Sequence, residues 1–124
     1  MIRKTGGTKT TWGTEIVWAS TETYCAKLLM FTENGAKTAV QFHKERSKTW
    51  FVNEGTFIVR WVDTDKGIAK ETIIKQGEVV EVPALRPYQL ESLLPNGVIF
   101  ESGTAEVEND TFRLSPEETV ETQP

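Results

Sequence analysis

The sequence predicts an all-β fold, a sandwich or closed barrel of short antiparallel strands. Three observations carry this expectation. Runs of alternating apolar and polar residues, rich in Val, Ile, Thr and aromatics, recur along the whole chain. Turn signals punctuate them: ENG (33–35), NEG (53–55), DTDKG (63–67), KQG (75–77) and PNG (95–97). The one stretch with a helical period, AKLLMF, is short and runs into a turn. Short strands at this spacing are the pattern of sandwiches and barrels.

In chain order, strands are expected at EIVWAS (15–20), TYCAKLLMFT (23–32), TAVQFH (38–43), TWFVNE (49–54) and TFIVRWVD (56–63). They continue at KETIIK (70–75), EVVEVP (78–83), YQLESLL (88–94) and VIFESGTAEVE (98–108). The last segment, NDTFRLSPEETVETQP, turns polar and acidic. Asp110–Leu114 can dock on the domain. Residues 115–124 lack the apolar content to pack and are expected to form a flexible tail. With 124 residues and no repeat or linker, residues 1–114 read as one domain.

Composition narrows the function. The net charge is −4, and no Lys/Arg cluster is present to neutralise a phosphate backbone, so nucleic acid is not an expected partner. No apolar run reaches the roughly 18 residues of a membrane span. The N-terminal segment has charge but no apolar core of a signal peptide, and the lone Cys25 has no disulfide partner. Together these predict a cytoplasmic protein. Cys25 lies in the apolar run TYCAKLLMF and reads as a core residue rather than a nucleophile. The glycines at 6–8 are followed by neither GK[ST] nor a helix, so they make no phosphate loop. No serine nucleophile motif is present either.

The stretch QFHKERSKTW (41–50) holds the only histidine. Alternation puts Ala39, Gln41 and His43 on one strand face, and Lys48, Trp50 and Val52 on one face of the next strand. Gln41, His43 and Lys48 can then converge in a barrel mouth, where small-molecule sites form. The plainer alternative is a solvated strand face.

Spacing adds a resemblance. Gly35, Gln41, His43, Lys48 and Gly55 fall in the frame of the first cupin motif, Gly-x5-His-x-His-x4-Glu-x6-Gly. Gly77, Pro83, Leu85, Tyr88 and Ser92 fall in that of the second, Gly-x5-Pro-x-Gly-x2-His-x3-Asn. QFHKERSKTWFVNEG further resembles the cupin domain of type II mannose-6-phosphate isomerases, which reads QxHxxRxExWxVxxG. Those domains are often fused to mannose-1-phosphate guanylyltransferases. TWG (11–13) and ENDTFRL (108–114) resemble that family's opening and closing segments. The resemblance implies a double-stranded β-helix, the cupin jelly-roll barrel, paired as a homodimer. It also implies sugar-phosphate or nucleotide-sugar isomerase or epimerase chemistry.

The same alignment exposes two departures. Lys48 stands where the family has a metal-binding Glu, and Tyr88 where it has a His. An ammonium has no lone pair, and a phenol stays protonated near neutrality. Gln41, His43 and Tyr88 would be the ligands of any metal, drawn from Zn, Mn, Fe or Ni, but a tight site needs three or more good donors. No metal or other cofactor is therefore expected. A rescuing carboxylate must come from elsewhere. Glu45 falls in the turn, Glu91 has the opposite parity to Tyr88, and Glu101 is the remaining candidate.

Two readings of Lys48 follow. It can attract a ligand oxyanion, with Arg46 as a bidentate partner, or it can pair with an interior glutamate and stabilise a dead site. The candidate catalytic residues are His43, Arg46 and Lys48, and the candidate ligand-binding residues are Gln41, His43, Lys48, Trp50 and Tyr88. The expected ligand is a sugar phosphate, a nucleotide sugar or another small anion. The alternatives are an isomerase or epimerase, and a structural or interaction protein with a degenerate site. Trp12, Trp18, Trp50 and Trp61 are expected mostly in the core or a dimer interface, with Trp50 able to stack a sugar. Of Arg60 and Trp61 one faces inward, and Arg86 is expected to make surface salt bridges.

Overall fold

A computed structural model describes residues 1–115; the remainder of the predicted tail lies outside the described residues. Among these residues eleven strands follow one another without a helix. They are β1 (Gly7–Lys9), β2 (Gly13–Ser20), β3 (Tyr24–Phe31), β4 (Gln41–His43), β5 (Lys48–Glu54) and β6 (Thr56–Asp63). They continue with β7 (Ile68–Lys75), β8 (Val79–Val82), β9 (Tyr88–Ser92), β10 (Gly97–Thr104) and β11 (Thr111–Arg113). One sheet has the order β1-β2-β3-β10-β5-β8 and the other β11-β4-β9-β6-β7. Every pairing is antiparallel.

The predicted strands are all present, β6 with the predicted ends and the others with shifted ones. The expected strand at 38–43 shrinks to Gln41–His43; Thr38, outside it, bonds to the middle of β9, its N–H donating to Leu90 O at 2.9 Å and its hydroxyl accepting from Leu90 N at 3.1 Å. β1 and β11, three residues each, have no counterpart in the sequence reading. Ser115, assigned to the tail, is held: its hydroxyl accepts from Val40 N–H at 2.9 Å.

Alternation in the sequence becomes two faces in space. On β5, Lys48, Trp50 and Val52 are buried and Phe51 points out. On β10, Gly97, Ile99 and Glu101 are buried and Phe100 points out. The inner faces close on Trp12, Phe31, Trp50, Val52, Phe57, Val59, Leu90 and Ile99. Trp12 stacks on Phe31 at 4.5 Å, and Phe31 meets Phe57 edge-on at 5.1 Å. Each such side chain contributes about 1.5–3 kcal/mol by leaving water. This apolar floor fills one end of the barrel and leaves polar groups at the other.

Two glycines fix the chain where strands meet. Gly13 has φ +153°, and a Cβ there would lie 1.8 Å from the Met30 carbonyl oxygen, so only hydrogen allows β2 to start this close to β3. Gly55, the last glycine of the first motif frame, has φ +95° in the one-residue turn between β5 and β6.

The outward face of the larger sheet carries a further pattern. Ile16, Leu28, Phe100, Phe51 and Val79 are successive cross-strand partners on β2, β3, β10, β5 and β8. They form one apolar row, and Phe100, Phe51 and Val79 are exposed. A bulge in β2 between Val17 and Ala19 leaves Trp18 52% exposed beside this row.

Candidate functional site

At the polar end of the barrel a cavity of about 270 Å³ lies between the sheets. β4, β5 and β9 bring Gln41, His43, Lys48, Trp50 and Tyr88 to its wall, and Arg46 joins them from the β4–β5 turn. All six residues singled out from the sequence therefore meet in one place. The sequence reading missed Trp12, Thr38, Lys27, Glu106, Thr111 and Arg113, which also line it. Thr111 and Arg113 share parity in TFR, with Phe112 between them, but three residues are too few to mark a strand in the sequence.

The Lys48 ammonium is the hub. It is 7% exposed, and its Nζ lies 3.3 Å from Glu101 Oε1 and 3.3 Å from His43 Nε2. Nζ also donates to the Tyr88 hydroxyl. Gln41 Nε2 donates to the same hydroxyl at 2.9 Å. The phenolic oxygen thus accepts twice, and its own hydrogen is directed at His43 Nε2, 2.9 Å away. That assignment leaves the ring proton on Nδ1, where Thr111 Oγ1 lies at 3.3 Å.

Glu101 is the counter-ion. Register places it between Trp50 on β5 and Lys27 on β3, on the inner face and only 3% exposed. Trp50 Nε1–H donates to Oε1 at 2.8 Å, and Arg46 Nη2 lies 3.8 Å from Oε2. Burial pushes the Glu101 carboxyl up, but Lys48, Lys27, the Trp50 N–H and Arg46 together hold it down at about 2. Burial likewise opposes the Lys48 charge, and Glu101 and Tyr88 more than offset it, so its pKa rises. His43 moves the other way. Burial, then the Lys48 and Arg46 charges, lower it to about 4, which keeps the imidazole neutral near pH 7.

This arrangement does not fit a divalent cation. The nitrogen His43 would offer already accepts hydrogen bonds, and the nearest cation is the chain's own ammonium. Glu101, the remaining carboxylate candidate, has Oε1 engaged by Trp50 and Lys48 and Oε2 facing the Arg46 guanidinium at 3.8 Å. Among the described residues no cluster of three or more His, Cys, Asp or Glu side chains is grouped to hold a metal.

Other sequence expectations resolve here. Trp50 is in the core and edge-on to Tyr88 at 5.2 Å. Trp61 packs against the core, whereas Arg60 pairs outside with Glu91 at 2.6 Å and Glu71 at 3.2 Å. Arg86 departs from the expected surface salt bridge: its guanidinium lies 4.4 Å from the centre of the half-buried Trp61 ring, a cation–π contact. The turn carrying Arg46 is clamped by Asp110, whose carboxylate accepts the backbone N–H groups of Lys44, Glu45 and Arg46 at 2.9–3.2 Å.

No protein-family model and no curated sequence matches the chain. Solved structures do. CapF from Staphylococcus aureus, a capsular polysaccharide assembling protein, superposes with a TM-score of 0.80 at 15% identity, over 93% of this chain and 35% of its own. Oxalate decarboxylase from Bacillus subtilis gives 0.77 at 19% identity, over 90% and 30%, and is described with Mn(II) centres. KdgF from Halomonas sp. gives 0.65 at 15% identity, over 77% and 81%. The fold is the cupin double-stranded β-helix. This chain spans about a third of the length of CapF and of oxalate decarboxylase.

Proposed function

We propose that this chain is a metal-independent cupin that binds a small anionic or sugar-like molecule in the barrel cavity. One observation carries the reading: an ammonium, already matched by a buried carboxylate, stands among Gln41, His43 and Tyr88 while a cavity of about 270 Å³ stays open before them. That volume is just below the roughly 300–1,000 Å³ of drug-sized pockets, which favours a monosaccharide-sized ligand over a nucleotide sugar. The resemblance of residues 41–55 to mannose-6-phosphate isomerases, and a neighbour described as assembling capsular polysaccharide, support a place in carbohydrate metabolism.

A second reading, an interaction protein with a degenerate site, is favoured by the Lys48–Glu101 pair, which closes the polar cluster on itself. An isomerase or epimerase is less supported, since a His43 that protonates only near pH 4 is a weak base. The apolar row through Phe100 and Phe51 is the face we assign to a homodimer. We infer a cytoplasmic setting from the unpaired, buried Cys25.

The test is elemental analysis after incubation with Zn, Mn, Fe and Ni, followed by melting curves with hexoses, hexose phosphates and uronates. The expected result is no stoichiometric metal and a raised melting temperature with at least one sugar-like compound. Stoichiometric metal would overturn the metal-independent reading and bring the isomerase forward. No shift with any compound would favour the interaction protein.

A further inference from the structure

Four cations line the cavity, and three of them already have a counter-ion. Lys27 lies 2.8 Å from Glu15 and 3.1 Å from Glu106. Lys48 and Arg46 both face Glu101. Arg113 is the fourth, and among the described residues it has no ion-pair or hydrogen-bond partner at its guanidinium. It sits on β11, directly opposite Gln41 in the register with β4.

Its direction follows from its neighbours on the strand. Thr111, two residues earlier, reaches His43 Nδ1, so this parity faces the cavity. Phe112 between them stacks on Phe42 at 5.2 Å on the opposite side. Opposite Arg113, Gln41 uses its amide N–H on Tyr88, while its Oε1 is buried without a partner. An unpaired guanidinium and an unmatched acceptor thus line the same small polar cavity from paired positions of β11 and β4.

We propose that Arg113, rather than Lys48 or Arg46, selects the ligand. It takes a single carboxylate or phosphate of a monosaccharide-sized polyol, whose hydroxyl hydrogens are directed toward Gln41 Oε1. A guanidinium matches either oxyanion with two parallel N–H donors. Lys48 and Arg46 share Glu101 as counter-ion and shape the cavity floor. This inference rests on the reading of the cavity as a ligand site.

The experiment is calorimetric titration of the whole chain and of Arg113→Gln and Arg113→Lys with mannose 6-phosphate, glucuronate and mannose. The unaltered protein should bind at least one anionic probe more tightly than mannose, and the stronger of the two tells phosphate from carboxylate. Arg113→Gln should weaken the anionic probe about tenfold or more, the scale of a charge-assisted hydrogen bond. Arg113→Lys should fall between, and mannose binding should not change. Anion binding undiminished in Arg113→Gln, or mannose bound as tightly as both anions, overturns this inference and leaves the cavity reading intact. Failure of all three probes to bind the unaltered protein overturns the cavity reading itself. Melting curves identify any loss of folding, in which case the exposed, charge-conserving Arg113→Lys variant decides between the outcomes.

Discussion

Replacing Glu101 by glutamine tests the buried charge cluster directly. The change keeps the shape and removes the carboxylate that, among the described residues, lies within ion-pair distance of both Lys48 and Arg46. At 3.3 Å the Lys48–Glu101 attraction is about 5 kcal/mol for an effective dielectric of 20. A second route gives the same scale. The carboxyl falls from 4.5 to about 2 on folding, which is worth about 3 kcal/mol. Because the folded pKa is depressed, that stability is complete above about pH 4.5 and is lost as pH falls through 2. At pH 7 Glu101→Gln should therefore cost about 3–5 kcal/mol, the usual result of leaving a buried charge unpaired. For a chain of this size that is a drop of roughly 10–20 °C in melting temperature. Urea and thermal unfolding measure it. Adding Lys48→Met to Glu101→Gln should restore most of the loss, since the orphaned ammonium is then gone. A cost of Glu101→Gln under about 1 kcal/mol, the range of an exposed pair, would refute the reasoning. So would a double variant no more stable than Glu101→Gln alone.

Other consequences are open to measurement. Lys48→Glu with Tyr88→His restores the donor types of the cupin motif at the same positions and should create divalent-cation binding near one ion per chain, read by elemental analysis; no gain would contradict the motif register. His43 is neutral when folded and protonates at about 4, against 6.5 when unfolded, so stability should decline by roughly 2–3 kcal/mol as pH falls from 6.5 to 4. His43→Gln should flatten that slope in urea titrations at pH 7.5 and 4.5, and an unchanged slope would assign it elsewhere. Phe100→Lys places a charge in the middle of the exposed apolar row and should convert a dimer to monomers by light scattering; a wild-type monomer would remove the assigned interface.

Much of the barrel was legible because its strands obey a period of two and are bounded by Gly- and Asn-containing turns. TFIVRWVD was read to the residue, since Gly55 and DTDKG bracket it. β1 and β11 escaped because three residues are too few for alternation to register; they are strands only because β2 and β4 offer edges to pair with. The first-motif spacing located the cavity wall. It did not reveal how Lys48 is neutralised, because Glu101 lies far along the chain and is brought near only by β10 pairing between β3 and β5. The cost of a buried charge did require some anion at Lys48, and Glu101 was among the candidates weighed. Arg113 had no such signal: assigning its role needed the knowledge of which other cations were already paired.

The Asp110 clamp bears on the order in which the molecule can form. Its carboxylate gathers three consecutive amides that precede it by 64–66 residues, and these amides hold the turn between His43 and Lys48. Glu101, which neutralises Lys48, is also a late residue. During synthesis the first half of the chain therefore carries an unmatched ammonium and an unrestrained turn until the last strands emerge. Loop closure over such separations is slow and entropically costly. The cavity should thus close late, so that a chain halted before residue 110 has most of its strands but neither the Asp110 clamp nor the Thr111 and Arg113 wall of the cavity.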